Sequence, residues 1–186
     1  SVNWTAPERS ITMPHGVIET VKEGVVHGNP QLCLRLTVRH RPGRSFLRYR
    51  FSLTGAGVLE KPAGRDSLEY ASITLDQYNS VTEVRMSEFE AQCHSYHLRE
   101  TPIDAHAFEL SQTAFGPILY AEKPGQTAVF AYEHGSTVPD SFVQFRFSVL
   151  RRASVEAVKG NYLRGHSLAQ SAFESIWIEA GLIDGP

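Results

Sequence analysis

Apolar and polar residues alternate with a period of two in one segment of this chain after another, a pattern that belongs to strands with one covered face. Between Gln31 and His40, Leu32, Leu34, Leu36 and Val38 share one face, and Arg35, Thr37 and Arg39 share the other. Phe46 to Leu53 repeats the pattern, with Leu47, Tyr49, Phe51 and Leu53 opposite Arg48 and Arg50. The turn signal Arg41-Pro42-Gly43-Arg44 lies between these two segments and predicts a hairpin. Ser141 to Leu150 is a third case, with Val143, Phe145, Phe147 and Val149 on one face and Gln144, Arg146 and Ser148 on the other. Less regular strand candidates are Val17 to Val26, Leu68 to Leu75, Val81 to Phe89, Gln92 to Arg99, Gly116 to Ala121, Thr127 to Tyr132, Ser154 to Lys159 and Phe173 to Glu179. Helix is scarce: Thr101-Pro102 and Asp104 predict one short helix over Asp104 to Gln112, with Ala107, Phe108 and Leu110 inward. About ten short strands punctuated by turn signals predict an all-β fold, an antiparallel two-sheet β-sandwich. Leu34, Leu36, Phe51, Phe145 and Phe147 are its expected core. Arginines on the outward faces read as solubility and edge protection.

The length of 186 residues suits one well-cored domain, so residues 1–186 are expected to form a single sandwich. Eighteen basic residues against twenty acidic ones, a net charge of -2, exclude a general nucleic-acid binder and disfavour a polybasic membrane anchor. No apolar run reaches the ~18 residues of a membrane-spanning helix, and no basic start precedes an apolar stretch, so the chain reads as soluble, cytoplasmic or secreted. The sequon Asn3-Trp4-Thr5 leaves the compartment open. A start at Ser1 and a stop at Asp184-Gly185-Pro186, just after the apolar run Ile176 to Ile183, read as an excerpt of a longer polypeptide, processed or deliberately cut. Cys33 and Cys93 are too few for a disulfide scaffold; two buried free thiols or one disulfide are both open.

Glycine-rich nucleotide loops, zinc-protease helices and serine-nucleophile elbows are missing from the sequence. His94 and His97 have a metal pair's spacing, but on a strand residues three apart point to opposite faces, so they read as ordinary strand histidines and no metal or cofactor is expected. Two polar loops stand out. The stretch from Ala131 to Asp140 gathers Glu133, His134, Ser136 and Asp140 between two strands, and the stretch from Val158 to His166 brackets Tyr162 and Arg164 with Gly160 and Gly165. Each reads in two ways, as a solvated turn or as a loop presenting functional residues; in the second stretch the aromatic ring and the guanidinium suit stacking on and hydrogen-bonding to a sugar. Adjacent strand residues diverge, so Glu133 and His134 make no coupled acid-base pair, and no catalytic residue is assigned. Trp4 and Trp177 are equally double-edged; Trp177, between Ile176 and Ile178, reads as core or interface packing on a strand.

Taken together, Phe130-Ala131-Tyr132-Glu133-His134-Gly135-Ser136, Pro139-Asp140, Lys159-Gly160-Asn161-Tyr162 and Ile176-Trp177 resemble the amino-terminal region of α-galactosidases of glycoside hydrolase family 36. Ser87-Glu88-Phe89 and His94-Ser95-Tyr96 fit the same likeness, which covers roughly residues 45 to 180. The resemblance implies a β-supersandwich of galactose-mutarotase-like form that precedes a (β/α)8 barrel, packs on it, supports oligomer contacts and lends loops to the substrate entrance. It implies retaining hydrolysis of terminal α-galactosyl residues by two barrel carboxylates, a pair with no counterpart in this sequence. The expected function is therefore an accessory domain of an α-galactosidase-like glycosidase. Glu133, His134, Asp140, Tyr162 and Arg164 are the candidate substrate-binding residues, and the barrel, galactosides and further copies of the parent are the candidate partners. The alternative is a stand-alone carbohydrate-binding or protein-interaction sandwich without enzymatic activity.

Overall fold

A computed structural model describes residues 1–5, 7–59, 67–75, 78–86, 92, 94–95, 97–103, 112–114, 116–133, 143–150, 152–160 and 166–185. For residues 59, 67–75, 86, 112–113, 143–150, 152–160 and 166 only the backbone course is described. In chain order the strands are β1 (Val2–Trp4), β2 (Arg9–Thr12), β3 (Ile18–Val26), β4 (Asn29–His40), β5 (Phe46–Gly55), β6 (Val58–Leu59), β7 (Ser67–Leu75), β8 (Ser80–Met86) and β9 (Leu98–Ile103). They continue with β10 (Gln112–Ala114), β11 (Ile118–Lys123), β12 (Gln126–Tyr132), β13 (Val143–Leu150), β14 (Arg152–Gly160), β15 (His166–Ser167), β16 (Phe173–Glu174) and β17 (Ile178–Asp184). A single 3-10 turn at Pro14–Gly16 is the one helical element among the described residues. The fold is all-β and antiparallel, as the alternation predicts.

The chain divides into two compact units. The first comprises Ser1–Arg65 and Leu163–Ala180. In it β1 and β2 lie along the same edge of β3, followed by β4 and β5; β16 pairs with β5, and β15 pairs with β6. The β4–β5 hairpin closes as its sequence predicts: the Arg44 amide donates to the Arg41 carbonyl at 3.0 Å across Pro42 and a Gly43 held at φ 74°, which is the Pro-then-Gly chemistry of a tight turn. Register places Glu19, Arg39 and Arg48 in one cross-strand row and Glu23, Arg35 and Ser52 in another. β1 lies close over β3 at Gly24, where a Cβ would lie 2.7 Å from both the Asn3 carbonyl oxygen and Val2 Cγ1. The best-buried side chains of this unit are Leu168, Phe173, Ser175 and Ile178, with Phe173 tilted against Phe51 at a ring separation of 6.1 Å.

The second unit comprises Asp66–Tyr162 and Gly181–Pro186. It holds two antiparallel four-strand arrays, β12-β11-β8-β9 and β10-β13-β14-β7, with β17 next to β12 in strand order. Register puts Leu119 opposite both Phe130 and Glu83, and Ala121 opposite both Ala128 and Val81. Those six side chains share one face and all are buried. Thr82 and Val84, on the reverse side of β8, are buried as well, so β8 is covered on both faces.

Several expectations change. Leu34, Leu36 and Phe51 are only half-buried, whereas Thr37, on the face taken as outward, is 8% exposed. The side chains of Phe145 and Phe147 lie outside the described residues. The strand expected over Gln92 to Arg99 is displaced toward the carboxyl end: Gln92 and His94 sit in turns, and β9 begins at Leu98. Thr101-Pro102, read as a helix start, lies inside β9, the last strand in its sheet order, where a proline without an N–H is tolerated. Gln112, expected to end that helix, opens β10; residues 104–111 lie outside the described set. Phe173 to Glu179 is two strands: the Ser175 amide still donates to the Phe51 carbonyl at 2.8 Å, but the Phe51 amide returns to Ser175 Oγ at 2.9 Å, and that hydroxyl donates to the Ile176 carbonyl at 2.9 Å. Cys33 is a free, half-buried thiol; Cys93 is outside the described residues.

Candidate functional site

Of the residues chosen from the sequence, Glu133 is described and exposed, one position past the end of β12. His134, Asp140, Tyr162 and Arg164 lie outside the described residues. What holds the end of β12 is clear. The Tyr132 amide donates to the Pro117 carbonyl at 3.1 Å. The Gly116 amide donates to Oε1 of Glu83 at 2.9 Å, and Arg85 Nε reaches the same oxygen at 2.8 Å. Glu83 is 4% exposed, so its carboxylate is a buried charge held by a backbone amide and a guanidinium, the condition under which such burial is tolerated. Burial, with a smaller contribution from the Glu83 charge and an opposing one from Arg85, pushes the Tyr132 phenol up to about 12. The end of β12, next to Glu133, is thus fixed by a buried polar cluster that a hydropathy pattern does not reveal.

Among the described residues, a dense gathering of charge lies in the first unit, around Trp177. The indole is half-buried between β16 and β17, not on a strand as its flanking isoleucines predict. The guanidinium carbons of Arg39, Arg48 and Arg50 lie 4.5, 4.5 and 4.8 Å from its ring centroid. A carboxylate accompanies each arginine: Glu19 accepts from Arg39 Nε at 2.7 Å, Glu174 lies 3.5 Å from Arg50, and Glu179 lies 3.7 Å from Arg48. Burial, reinforced by the charges of Arg39 and Arg50 and opposed by Glu179, lowers the pKa of Arg48. The physical reason for the cluster is mutual: the ring offers its negative π-face to cations, and the carboxylates offset repulsion among three like charges. The arginines read as solubilising residues are therefore packing partners of a tryptophan. Because they occupy the ring, Trp177 is a poor stacking platform for a sugar.

Beside this cluster the same face carries a shallow groove of about 260 Å³, where Glu23 accepts from Arg35 Nε at 2.6 Å and Pro7, Ile11 and Val21 supply apolar wall. His94 and His97 are not strand residues: His94 occupies a turn at φ 49°, and His97 lies 3.4 Å from the Ser95 hydroxyl, just before β9. Among the described residues no group of three or more His, Cys, Asp or Glu is disposed to hold a metal ion, and no helix is long and apolar enough to cross a membrane.

No protein-family model and no curated protein matches the sequence. Solved structures do match the fold. The family 36 α-galactosidase AgaA of Geobacillus stearothermophilus superposes with a TM-score of 0.59 at 8% identity, covering 99% of this chain and 28% of that one. The α-galactosidase of Lactobacillus brevis gives 0.55 at 10% identity, over 98% of this chain and 26% of that one. The galactosidase domain of the α-galactosidase-sucrose kinase AgaSK gives 0.54 at 8% identity with the same coverages. The chain thus spans little more than a quarter of the length of the structures it resembles, and it has the fold of a domain-sized portion of family 36 α-galactosidases, as the sequence resemblance implies.

Proposed function

We propose that this chain is an accessory β-sandwich domain of an α-galactosidase-like glycoside hydrolase, whose catalytic carboxylates belong to a barrel elsewhere in the parent polypeptide. The observation that carries the reading is the lopsided coverage: nearly all of this chain matches just over a quarter of each enzyme. Chemistry points the same way. A retaining glycosidase needs a nucleophile and an acid/base about 5–5.5 Å apart across the scissile bond. Glu83 is committed to the Gly116 amide and Arg85, in a buried position. The domain packs on the barrel and shapes its entrance or an oligomer contact, with Glu133, His134, Asp140, Tyr162 and Arg164 as the residues that face galactosides.

The test is hydrolysis of an aryl α-galactoside by two polypeptides, this chain alone and the parent extended past Pro186. The expected result is turnover by the parent only. In that parent, replacing Glu133 and His134 together by Ala should raise KM or change the preferred substrate length more than it lowers kcat, since residues at an entrance bind without reacting. Turnover by this chain alone, lost in Glu133→Gln, would overturn the reading, as would a reading frame that ends at Pro186.

A further inference from the structure

The end of the β4–β5 hairpin is the most one-sided charge in the molecule. The twelve residues from Arg39 to Arg50 contain five arginines and His40 and no acidic residue, in a chain whose net charge is -2. Glu19, Glu179 and Glu174 attend Arg39, Arg48 and Arg50. Among the described residues no carboxylate pairs with Arg41 or Arg44. A cavity of about 280 Å³ opens here, just below the range of about 300–1,000 Å³ usual for ligand sites. Its polar side is Arg39, His40, Arg41, Arg48 and Glu179, and its apolar side is Val17, Phe46 and Leu47. Phe46 and Leu47 are 38% and 42% exposed. By strand alternation Arg39, Arg41, Phe46 and Arg48 belong to one face, the face of the Trp177 cluster.

We propose that this cavity binds a carboxylated pyranose, a hexuronic acid residue either free or within a glycan. Three features select that class. Guanidinium donors match a carboxylate in planar, two-point fashion, and Arg41 brings a positive charge not already offset by an acid. Glu179 supplies an acceptor for ring hydroxyls, a group that would only repel a simple inorganic anion. Phe46 offers a ring for the C–H face of a sugar, and Val17 and Leu47 extend that apolar wall. A neutral hexose leaves the Arg41 charge unmatched, and phosphate leaves the apolar wall unused. The sugar half of the proposal rests on the carbohydrate reading above; the anion half rests on the cavity alone.

The experiment titrates the chain at fixed ionic strength with galacturonic acid, a galacturonate oligomer, galactose, sodium acetate and polyglutamate, reading heat and tryptophan emission. Saturable binding of galacturonic acid is expected, tighter than galactose or acetate by about tenfold, the worth of one charge-assisted hydrogen bond. Arg41→Ala should remove that preference. It changes an exposed turn residue, and unchanged circular dichroism checks that it folds. Arg44→Ala, at the same turn but outside the cavity lining, should preserve the preference. The oligomer separates a monosaccharide site from a glycan site by binding more tightly only in the second case, and either result supports the proposal. An equal response to acetate, preference for polyglutamate, or no saturable binding overturns it. If uronate binds and the parent still fails to hydrolyse α-galactosides, the enzyme reading falls and this one stands.

Discussion

Glu83 and Tyr132 show how much one buried charge can determine. Glu83→Gln keeps an acceptor for the Gly116 amide but removes the charge that holds Arg85 and that adds to the effect of burial in raising the neighbouring phenol. The variant should lose about 1–3 kcal/mol, the usual cost of disturbing a buried hydrogen-bonded group, and Tyr132 should titrate nearer its ordinary value. Chemical denaturation and phenolate absorbance check the two halves. The wild-type phenol also makes a statement about pH. Its pKa of about 12 when folded stands above the ordinary 10.0, so the stability it contributes is complete below pH 10 and is lost as pH rises through 12. At about 1.4 kcal/mol per unit, the loss across that window is on the order of 2–3 kcal/mol. Tyr49, likewise pushed up to about 12 by burial, titrates in the same window. Trp177→Leu keeps apolar volume and forfeits the cation–π contacts; a destabilisation of about 1–2 kcal/mol in urea is expected.

Among the elements, those with room for alternation were legible and the others were not. β4 and β5 are long enough to display their period, and the turn between them carries Pro42 and Gly43 in the order its geometry requires. β1, β6, β15 and β16 have two or three residues each, too few to show a period; β1 and β16 are templated by the longer β3 and β5, and β6 and β15 by each other. Ser175 broke an apparently continuous strand through a side-chain hydrogen bond, an interaction that hydropathy does not encode. The candidate site was legible only as composition: the sequence showed the arginine rows, whereas the acids and the indole that meet them come from β3 and from residues more than a hundred positions away. At this scale Gly24 gives a clean test. Gly24→Ala pushes a Cβ into the Asn3 carbonyl, so β1 should detach, with faster hydrogen exchange at Thr5 and His27, whose amides donate to Glu23 and Ser1. Global stability should fall by about 1 kcal/mol, the centre of the range for point substitutions.

For the molecule as a whole, coverage of about a quarter of each similar enzyme and a charge excess confined to one hairpin set the two experiments that matter, activity of the parent and uronate binding by the chain. Both of the chain's tryptophans, Trp4 and Trp177, fall in the first unit, and the second has none. Indole emission is therefore a private optical channel for one half of the polypeptide. Unfolding replaces the three guanidiniums over Trp177 with water and should shift its emission to the red, while ellipticity sums over both halves. Overlaying the two melting curves, without any engineered label, tells whether the halves come apart as one cooperative block or in succession.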